Sequence, residues 1–437
     1  MSDVQARDYP LIEITDLTHD GRGVGRLNGK AVFVHGALSG EQVRVRMVRR
    51  RRRYDEGEAV AVEQAAPQRV EPRCPHVDRC GGCALQHLAP EVQIEFKQQQ
   101  VLENLSRIGK VEPEVMAPAL RGPLWAYRNK ARLSVRRVEK KGRVLIGFRE
   151  RNGHRVADCR ECHILHPAVG QRLDALAELI DQLSVRDLIP QIEVAAGDNA
   201  VILVLRHMGP LSDEDVSRLL EFGAANDLVF YSQSKGIDTI RPLVEPPTAL
   251  HYRVDEPAAE LQFLPQQFTQ INPEINRAMV AQAIDWLALE SDHRVLDLFC
   301  GLGNFSIPLA RRVAEVVGVE GEASLVAQAE HNARRNGLGN ARFYPFDLRE
   351  DPRDRVWFGD YDRVLLDPPR SGAEAALPWL AASQCRHLVY VSCQPASLAR
   401  DAGALVHEYG FRLARLGVMD MFPHTAHVES MALFIRD

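Results

Sequence analysis

The chain has no apolar run near the roughly 18 residues that a membrane-crossing helix needs. Its first residues, MSDVQAR, lack the apolar core of an export signal. The expectation is a soluble, cytoplasmic, monomeric protein that engages no membrane. Eight cysteines in 437 residues are too few for a disulfide scaffold. The central region, about 74–263, shows no internal repeat or low-complexity stretch. Any large charge excess is absent as well: the net charge of −5, with histidine neutral, would not by itself suggest a nucleic-acid partner. Hydrophobic residues at 45% and charged ones at 26% lie near the globular average, which excludes wholesale disorder and collagen-like structure. The length accommodates about two to three domains.

Charge is unevenly spread. Between Gly21 and Tyr54 stand ten basic residues (Arg22, Arg26, Lys30, Arg44, Arg46 and the run Arg49 to Arg53) against one acid, Glu41. A local excess of this kind in an otherwise acidic chain is an electrostatic footprint of nucleic-acid contact. The same region carries short β-rich runs: LIEI from Leu11, AVFV from Ala31, QVRVRMV from Gln42 and EAVAV from Glu58. The stretches GRGVG from Gly21 and LSGE from Leu38 read as turns between them. Residues 9–66 are therefore expected to form a small OB-like β-barrel with a basic face.

After a proline-containing linker, residues 74–263 read as a mixed α+β domain. A hairpin is expected from Ala131 to Val138 and Val144 to Phe148. Amphipathic helices are expected over Pro167 to Leu183 and Ser212 to Asn226, and strands over Ile192 to Ala196 and Val201 to Arg206. Residues 264–437 alternate helix and strand, with strands at Arg294 to Phe299, Val313 to Val319, Ala341 to Phe346, Arg363 to Leu366 and Leu388 to Val391. That pattern predicts a doubly wound, Rossmann-like parallel sheet with ligands at the carboxyl ends of its strands.

The motifs at those ends define a chemistry. VLDLFCGLGNFS, from Val295 to Ser306, runs from a buried strand through a glycine turn into a helix. A dinucleotide site would want a third glycine, and Phe305 and Ser306 stand there instead. Glu320 closes the next strand, where an acid can bind both hydroxyls of a ribose, and Asp347 ends the third, placed to meet an adenine edge. A nucleoside without a pyrophosphate fits, and S-adenosylmethionine is the obvious one. The fourth strand leads into Asp367-Pro-Pro-Arg and the fifth into Ser392-Cys393-Gln394, so Cys393 opens a loop toward the same cleft. Near the C-terminus, DMFPHTAHVESM adds His424, His427 and Glu429, the last embedded in apolar sequence where desolvation raises a carboxyl pKa. A thiolate adding at C6 of uracil makes C5 nucleophilic toward a sulfonium methyl group, and a base then removes the C5 proton. One cysteine, one carboxylate and S-adenosylmethionine are sufficient for this chemistry.

A second cysteine group, CPHVDRCGGC, places Cys74, Cys80 and Cys83 within ten residues. A fourth ligand would come from Cys159, Cys162, His76 or His87. The spacing suits an iron–sulfur cluster or structural zinc.

On these residues the chain resembles the RNA uracil-C5 methyltransferase family. The likeness rests on DLFCGLGN from Asp297, LDPPR from Leu366, VSC from Val391, LARD from Leu398 and HVESM from His427. GRGVGR, KAVFV and ALSGEQV in the first region resemble a TRAM domain, an RNA-binding module. The resemblance implies Cys393 as nucleophile and Glu429 as base, with cofactor contacts from Gln270, Phe299, Asn304, Glu320, Asp347 and Asp367. It implies a [4Fe-4S] cluster on Cys74, Cys80, Cys83 and Cys162, structural because four thiolates leave no iron open. Phe268, two residues before Gln270, is the candidate to stack on an extruded base. With the N-terminal module and the cysteine cluster included, the likeness points to 23S ribosomal RNA as substrate. The alternatives are another rRNA or tRNA uridine, an amino-methyltransferase acting through Asp367-Pro-Pro-Arg, and a non-catalytic iron–sulfur RNA-binding protein. The sequence departs from the family at Gln394, where asparagine is usual, and Asp347 falls where relatives vary.

Overall fold

A computed structural model describes residues 8–151, 153–383 and 385–436. They divide into two compact units. One gathers the chain up to Lys97 with Gly147–Cys159 and Phe422–His427, and the other holds Gln98–Ile146, Arg160–Met421 and the chain from Val428.

In the first unit five strands, β1 (Leu11–Leu17), β2 (Gly23–Leu27), β3 (Lys30–His35), β4 (Gln42–Arg50) and β5 (Tyr54–Gln64), close a barrel in the order β1-β2-β3-β5-β4. Alternation drives closure: Ile12, Ile14, Val32, Val34, Val43 and Val45 point inward and are fully buried. The GRGVG stretch, read as a turn, forms most of β2 instead. A Cβ at Gly25 would stand 2.5 Å from Ile12 Cγ2 and 2.6 Å from the Glu13 carbonyl, so glycine there is the condition for pairing β1 closely with β2. The acids of β5 also reduce the basic excess. Asp55, Glu56, Glu58 and Glu63 lie on that strand, and the antiparallel β4–β5 register sets Arg46 opposite Glu58 and Arg49 opposite Glu56. Arg46–Glu58 (2.5 Å), Arg44–Glu63 (3.0 Å) and Lys30–Asp55 (2.6 Å) pair accordingly. The exposed basic charge is thereby concentrated at Arg50 to Arg53, the tip of the β4–β5 hairpin. The first turns of helix α1 (Pro90–Asn104) belong to this unit.

The second unit contains two large sheets. A two-residue strand, β6 (Val115–Met116), precedes the smaller one, which is built from β7 (Lys130–Val138), β8 (Arg143–Gly147), β9 (Gln191–Ala196), β10 (Val201–Arg206), β11 (Leu228–Gln233) and β12 (Ile240–Pro242) in the order β12-β11-β10-β9-β7-β8. The stretch expected as one helix from Pro167 is two, α2 (Pro167–Gly170) and α3 (Leu173–Asp181). Gly170 gives its carbonyl to the Cys162 amide (2.8 Å), so it is lost to the helical ladder. Helix α4 (Asp213–Asn226) begins in a capping box between Ser212 and Asp215. A hairpin of β13 (Leu250–Asp255) and β14 (Ala258–Phe263) leads to α5 (Pro273–Trp286), whose Ile275, Met279, Ala283 and Trp286 are all buried.

The larger sheet holds β15 (Arg294–Leu298), β16 (Glu315–Glu320), β17 (Ala341–Pro345), β18 (Arg363–Leu366), β19 (His387–Ser392), β20 (Arg412–Met419) and β21 (Glu429–Ile435), with α6 (Ser306–Ala310), α7 (Ala323–Arg335), α8 (Leu377–Ala381) and α9 (Pro395–His407) between strands. Its order is β17-β16-β15-β18-β19-β21-β20-β6. The first five strands are parallel, as the alternating pattern implies, and the order reverses between β15 and β18, the place where α/β sheets bind ligands. The sheet does not stop there. Strand β21 runs antiparallel to β19 and β20 antiparallel to β21. An antiparallel neighbour starts where a parallel one would end, so the first residue of β21, Glu429, lies at the ligand edge beside the end of β19. Among the described residues no helix is long and apolar enough to cross a membrane.

Candidate active site

A cavity of about 480 Å³ opens at that edge. Of the residues singled out from sequence, Phe268, Gln270, Phe299, Asn304, Glu320, Asp367, Cys393 and Glu429 all line it, and Arg370 joins them. Asp347 does not. Its carboxylate is bound by the neighbouring Arg349 guanidinium at 2.6 and 2.9 Å, which holds it down at about 2.

Strand β15 delivers the glycine loop. Phe299 leaves it in the left-handed region at φ +63°, uncommon for a large side chain and a mark of a constrained functional turn. Glu320 then braces the loop, accepting from the Gly301 amide (3.1 Å) and the Glu322 amide (3.0 Å). Asn304 is fixed more elaborately. It exchanges two hydrogen bonds with Asn276 on α5 (2.9 and 3.0 Å), and its carbonyl also accepts from the Tyr252 hydroxyl on β13 (2.8 Å). Neither Tyr252 nor Asn276 carries a local motif, and their part emerges only from the fold.

The segment carrying Phe268 and Gln270 is tied down by Lys130 on β7. Its ammonium donates to the carbonyls of Pro265 (2.8 Å) and Gln267, and burial lowers its pKa to about 8. Phe268 itself stays 68% exposed, which is unusual for phenylalanine and leaves its face open.

Cys393 and Glu429 meet through strand register. Ser392 and Ser430 are Cα partners in the β19–β21 ladder, and the Ser430 hydroxyl donates to the Ser392 carbonyl (3.3 Å). Burial pushes the Cys393 thiol upward, Glu429 and Asp367 add to the rise, and Arg370 opposes it. Glu429 is 5% exposed, and its Oε2 has no hydrogen-bond partner among the described residues. Burial holds its carboxyl well above the ordinary range, Asp367 pushes the same way and Arg370 opposes both. Burial also raises Asp367 and Asp297 to about 7, the latter despite a hydrogen bond from Ser306. Three carboxyls, of Glu320, Asp367 and Glu429, thus face one cavity beside a single guanidinium, an arrangement suited to a cationic ligand. Cys300 and Cys385 are buried with thiols raised by desolvation. Cys300 touches the cavity wall, where Asp297 and Glu320 add to the rise of its thiol, and Cys385 does not line the cavity.

The family model for tRNA (uracil-5-)-methyltransferase matches residues 93–350 and 355–437, and the TRAM domain model matches residues 6–60. The chain belongs to the RNA uracil-C5 methyltransferase family. It is an S-adenosylmethionine-dependent enzyme of that family, with the TRAM barrel at its N-terminal end. Among curated relatives, a 23S rRNA (uracil(1939)-C(5))-methyltransferase of Xanthomonas campestris is 52% identical over 425 residues, covering 96% of each chain. One from Alkalilimnicola ehrlichii is 52% identical over 98% of this chain and 96% of its own. A solved structure, the Pyrococcus abyssi tRNA (uracil-54, C5)-methyltransferase in complex with S-adenosyl-L-homocysteine, superposes with a TM-score of 0.73 at 26% identity, over 97% of this chain and 99% of that one.

The histidines flanking Glu429 do not join the cavity. His424 and His427 belong to the first unit, where the His424 carbonyl accepts from the amides of Ala84 and Leu85 (2.9 Å each). Cys74, Cys80, Cys83 and Cys159 also belong to that unit, and Cys162 to the other. The Cys80 thiol is drawn down to about 7, chiefly by a hydrogen bond with Cys159 and further by the Gly82 amide and the Arg151 guanidinium. Arg151 also donates to the carbonyls of Val77 (2.8 Å) and Cys83 (3.1 Å), which shapes the cysteine loop.

Proposed function

We propose that this enzyme methylates C5 of a uridine in 23S ribosomal RNA through a covalent adduct with Cys393. S-adenosylmethionine, when bound, supplies an electrophilic methyl group on a cationic sulfonium. Phe299, Asn304, Glu320, Gln270 and Asp367 would hold it, and the three cavity carboxyls would favour its positive charge. A bound cation there would favour the ionised forms of Cys393 and Glu429, which burial otherwise disfavours. The Cys393 sulfur bonds to C6 of the extruded base, and the C5–C6 π electrons move into the ring to make C5 nucleophilic. After C5 gains the methyl group, Glu429 takes the C5 proton, the C6–S bond breaks and the thiolate is restored. Phe268 stacks on the base that has left its helix. Asp347, salt-bridged to Arg349 and away from the cavity wall, has no assigned part in this scheme.

The single observation that carries this reading is the register-locked meeting of Cys393 and Glu429 in the cavity that also holds the glycine loop. The ribosomal substrate follows from the activity for which the relatives above are named and from the barrel, whose exposed arginine tip fits a phosphate backbone. For the cysteine cluster, a thiol already drawn down to about 7 is chemically fit to ligate a metal. Cys74, Cys80, Cys83 and Cys162 would hold a structural [4Fe-4S] cluster, with Cys159 as the competing fourth ligand.

The test separates the two catalytic residues. Cys393→Ala should form no adduct and transfer no methyl group. Glu429→Gln should methylate and then stall, so that a methylated RNA–protein adduct accumulates and survives denaturing gels. Methyl transfer to uridine by Cys393→Ala would overturn the covalent mechanism.

A further inference from the structure

The strand before the nucleophile and the helix after it carry a second, buried polar cluster that the reaction scheme leaves unused. Asp401, on α9, is 1% exposed and Tyr390, on β19, is fully buried. One Asp401 oxygen accepts from the Tyr390 hydroxyl (2.7 Å) and from the Ala373 amide (2.7 Å). The other accepts from Arg400 Nε (2.8 Å), whose Nη2 donates to the Ser371 carbonyl (2.8 Å). Both protein ends of this network fall on the loop that follows Asp367-Pro-Pro-Arg. That loop turns tightly, with the Gly372 amide donating to the Pro369 carbonyl (2.8 Å). Gly372 has φ +82°, and a Cβ there would lie 2.6 Å from both Arg400 Nη2 and Asp401 Oδ2, so loop and clasp fit without spare space.

Arg370 stands inside that turn, immediately before the two clasped residues, and lines the cavity. The groups facing the Cys393 sulfur are Glu429 and Asp367, both anionic when ionised, and Arg370, the one cation among them. Helix α9 begins two residues after Cys393 and carries Asp401 less than two turns further on. One rigid helix thus carries the nucleophile's loop at its start and the clasp on the Arg370 loop in its middle.

We propose that Asp401, with Tyr390 and Arg400, is a positioning residue that gauges the distance between the Arg370 guanidinium and the Cys393 sulfur, and so sets the reactivity of the nucleophile. It touches neither base nor cofactor. The Asp401 carboxylate holds the Ala373 amide and the neighbouring Arg400 holds the Ser371 carbonyl, so the pair grips the loop backbone on either side of Gly372, next to Arg370. The inference rests on Cys393 being the nucleophile, and its test is arranged to read the clasp separately.

The full-length protein is compared with Asp401→Asn and, in case that variant folds poorly, with Tyr390→Phe, which removes one hydroxyl only. The readout is the alkylation rate of Cys393 by iodoacetamide at fixed pH without RNA, followed at the peptide level, alongside the equilibrium affinity for S-adenosylmethionine. A displaced neighbouring cation costs about one pKa unit or more, so Asp401→Asn should slow alkylation about tenfold. Tyr390→Phe should slow it about threefold, and cofactor affinity should hold within about twofold. In an Arg370→Gln background neither change should slow it further. Unchanged alkylation in both variants, or an equal loss with and without Arg370, overturns the proposal. Failure of the covalent mechanism would instead appear as methyl transfer by Cys393→Ala, whatever the alkylation rates.

Discussion

Replacing Asp367 by asparagine should make the enzyme more stable at neutral pH and no more stable in acid. The folded carboxyl keeps its proton up to about 7, against 3.8 for the same group in an unfolded chain. Between those values the folded state binds a proton that the unfolded state does not, so unfolding free energy falls as pH rises. The gap is about three pH units at about 1.4 kcal/mol each, or about 4 kcal/mol in all. The carboxyl opens partly onto the cavity, and water there softens the penalty, so about 2–4 kcal/mol is the working range. Asp297 titrates near the same pH with the same sign, and Asp367 is one of the charges that raises it, so removing Asp367 relaxes Asp297 in the same direction. The advantage of Asp367→Asn should be absent near pH 4, grow steadily to pH 7 and stay level above. At about 2 °C per kcal/mol, the melting midpoint of the variant should exceed that of the parent by roughly 4–8 °C at pH 8. Calorimetry of both full-length proteins from pH 4 to 8, without cofactor, reads this directly. Parallel curves across that range would mean that burial does not raise the Asp367 carboxyl in the folded protein, and the desolvation argument would fail.

Converting Arg50 to Arg53 to serine should lower the slope of log affinity for RNA against log salt by about 3, since each phosphate contact is worth about 0.7–0.9. A slope that does not move would leave the hairpin tip facing only solvent. Protein made without oxygen should be coloured and iron-loaded, with Cys162→Ser losing the colour and Cys159→Ser keeping it; a colourless protein with stoichiometric zinc, or the reverse pattern, rejects the ligand assignment. Tyr252→Phe removes one hydrogen bond to Asn304 and should weaken S-adenosylmethionine binding by about 1 kcal/mol, roughly fivefold, without altering Cys393 alkylation. Calorimetric titration that finds equal affinity would show that Asn276 alone suffices to hold Asn304.

Much of the fold is legible in the sequence because burial writes a period into the chain. The five parallel strands of the larger sheet read off within a few residues, since each is a short apolar run closed by a turn or a polar residue. Other elements carry weaker signals. Strands β20 and β21 do not alternate with helices, and β21 is buried almost throughout, so nothing local says that it enters the sheet antiparallel. The glycines of β2 imitate a turn because close strand approach and tight turning both call for a missing side chain. A charge count that ends at Tyr54 overstates the barrel's basicity, because it stops one residue short of the acids that the β4–β5 register sets against the arginines.

The site divides along a similar line, according to whether a residue acts through its own chemistry or through a partner's position. Cys393, Glu429, Glu320 and Asp367 end or begin strands within distinctive motifs, and a strand end in an α/β sheet is already an address. Asp347 also follows a strand, yet it does not line the cavity, and its carboxylate is bound by Arg349, two residues on. Tyr252, Asn276, Lys130 and Asp401 show the converse. Each bonds to a residue 28 or more positions away: Asn304 for the first two (2.8 and 3.0 Å), Pro265 (2.8 Å) and Ala373 (2.7 Å) for the others. None of these separations has a period or a motif, so no linear reading can find them. They are nonetheless the contacts that hold the motif residues in place around the cavity, and a site transplanted by its motifs alone would lack them. The LARD motif shows how close the two classes can come: its arginine and aspartate belong to the sequence signature of the family, yet what they grip becomes visible only once the loop after Arg370 folds back onto α9.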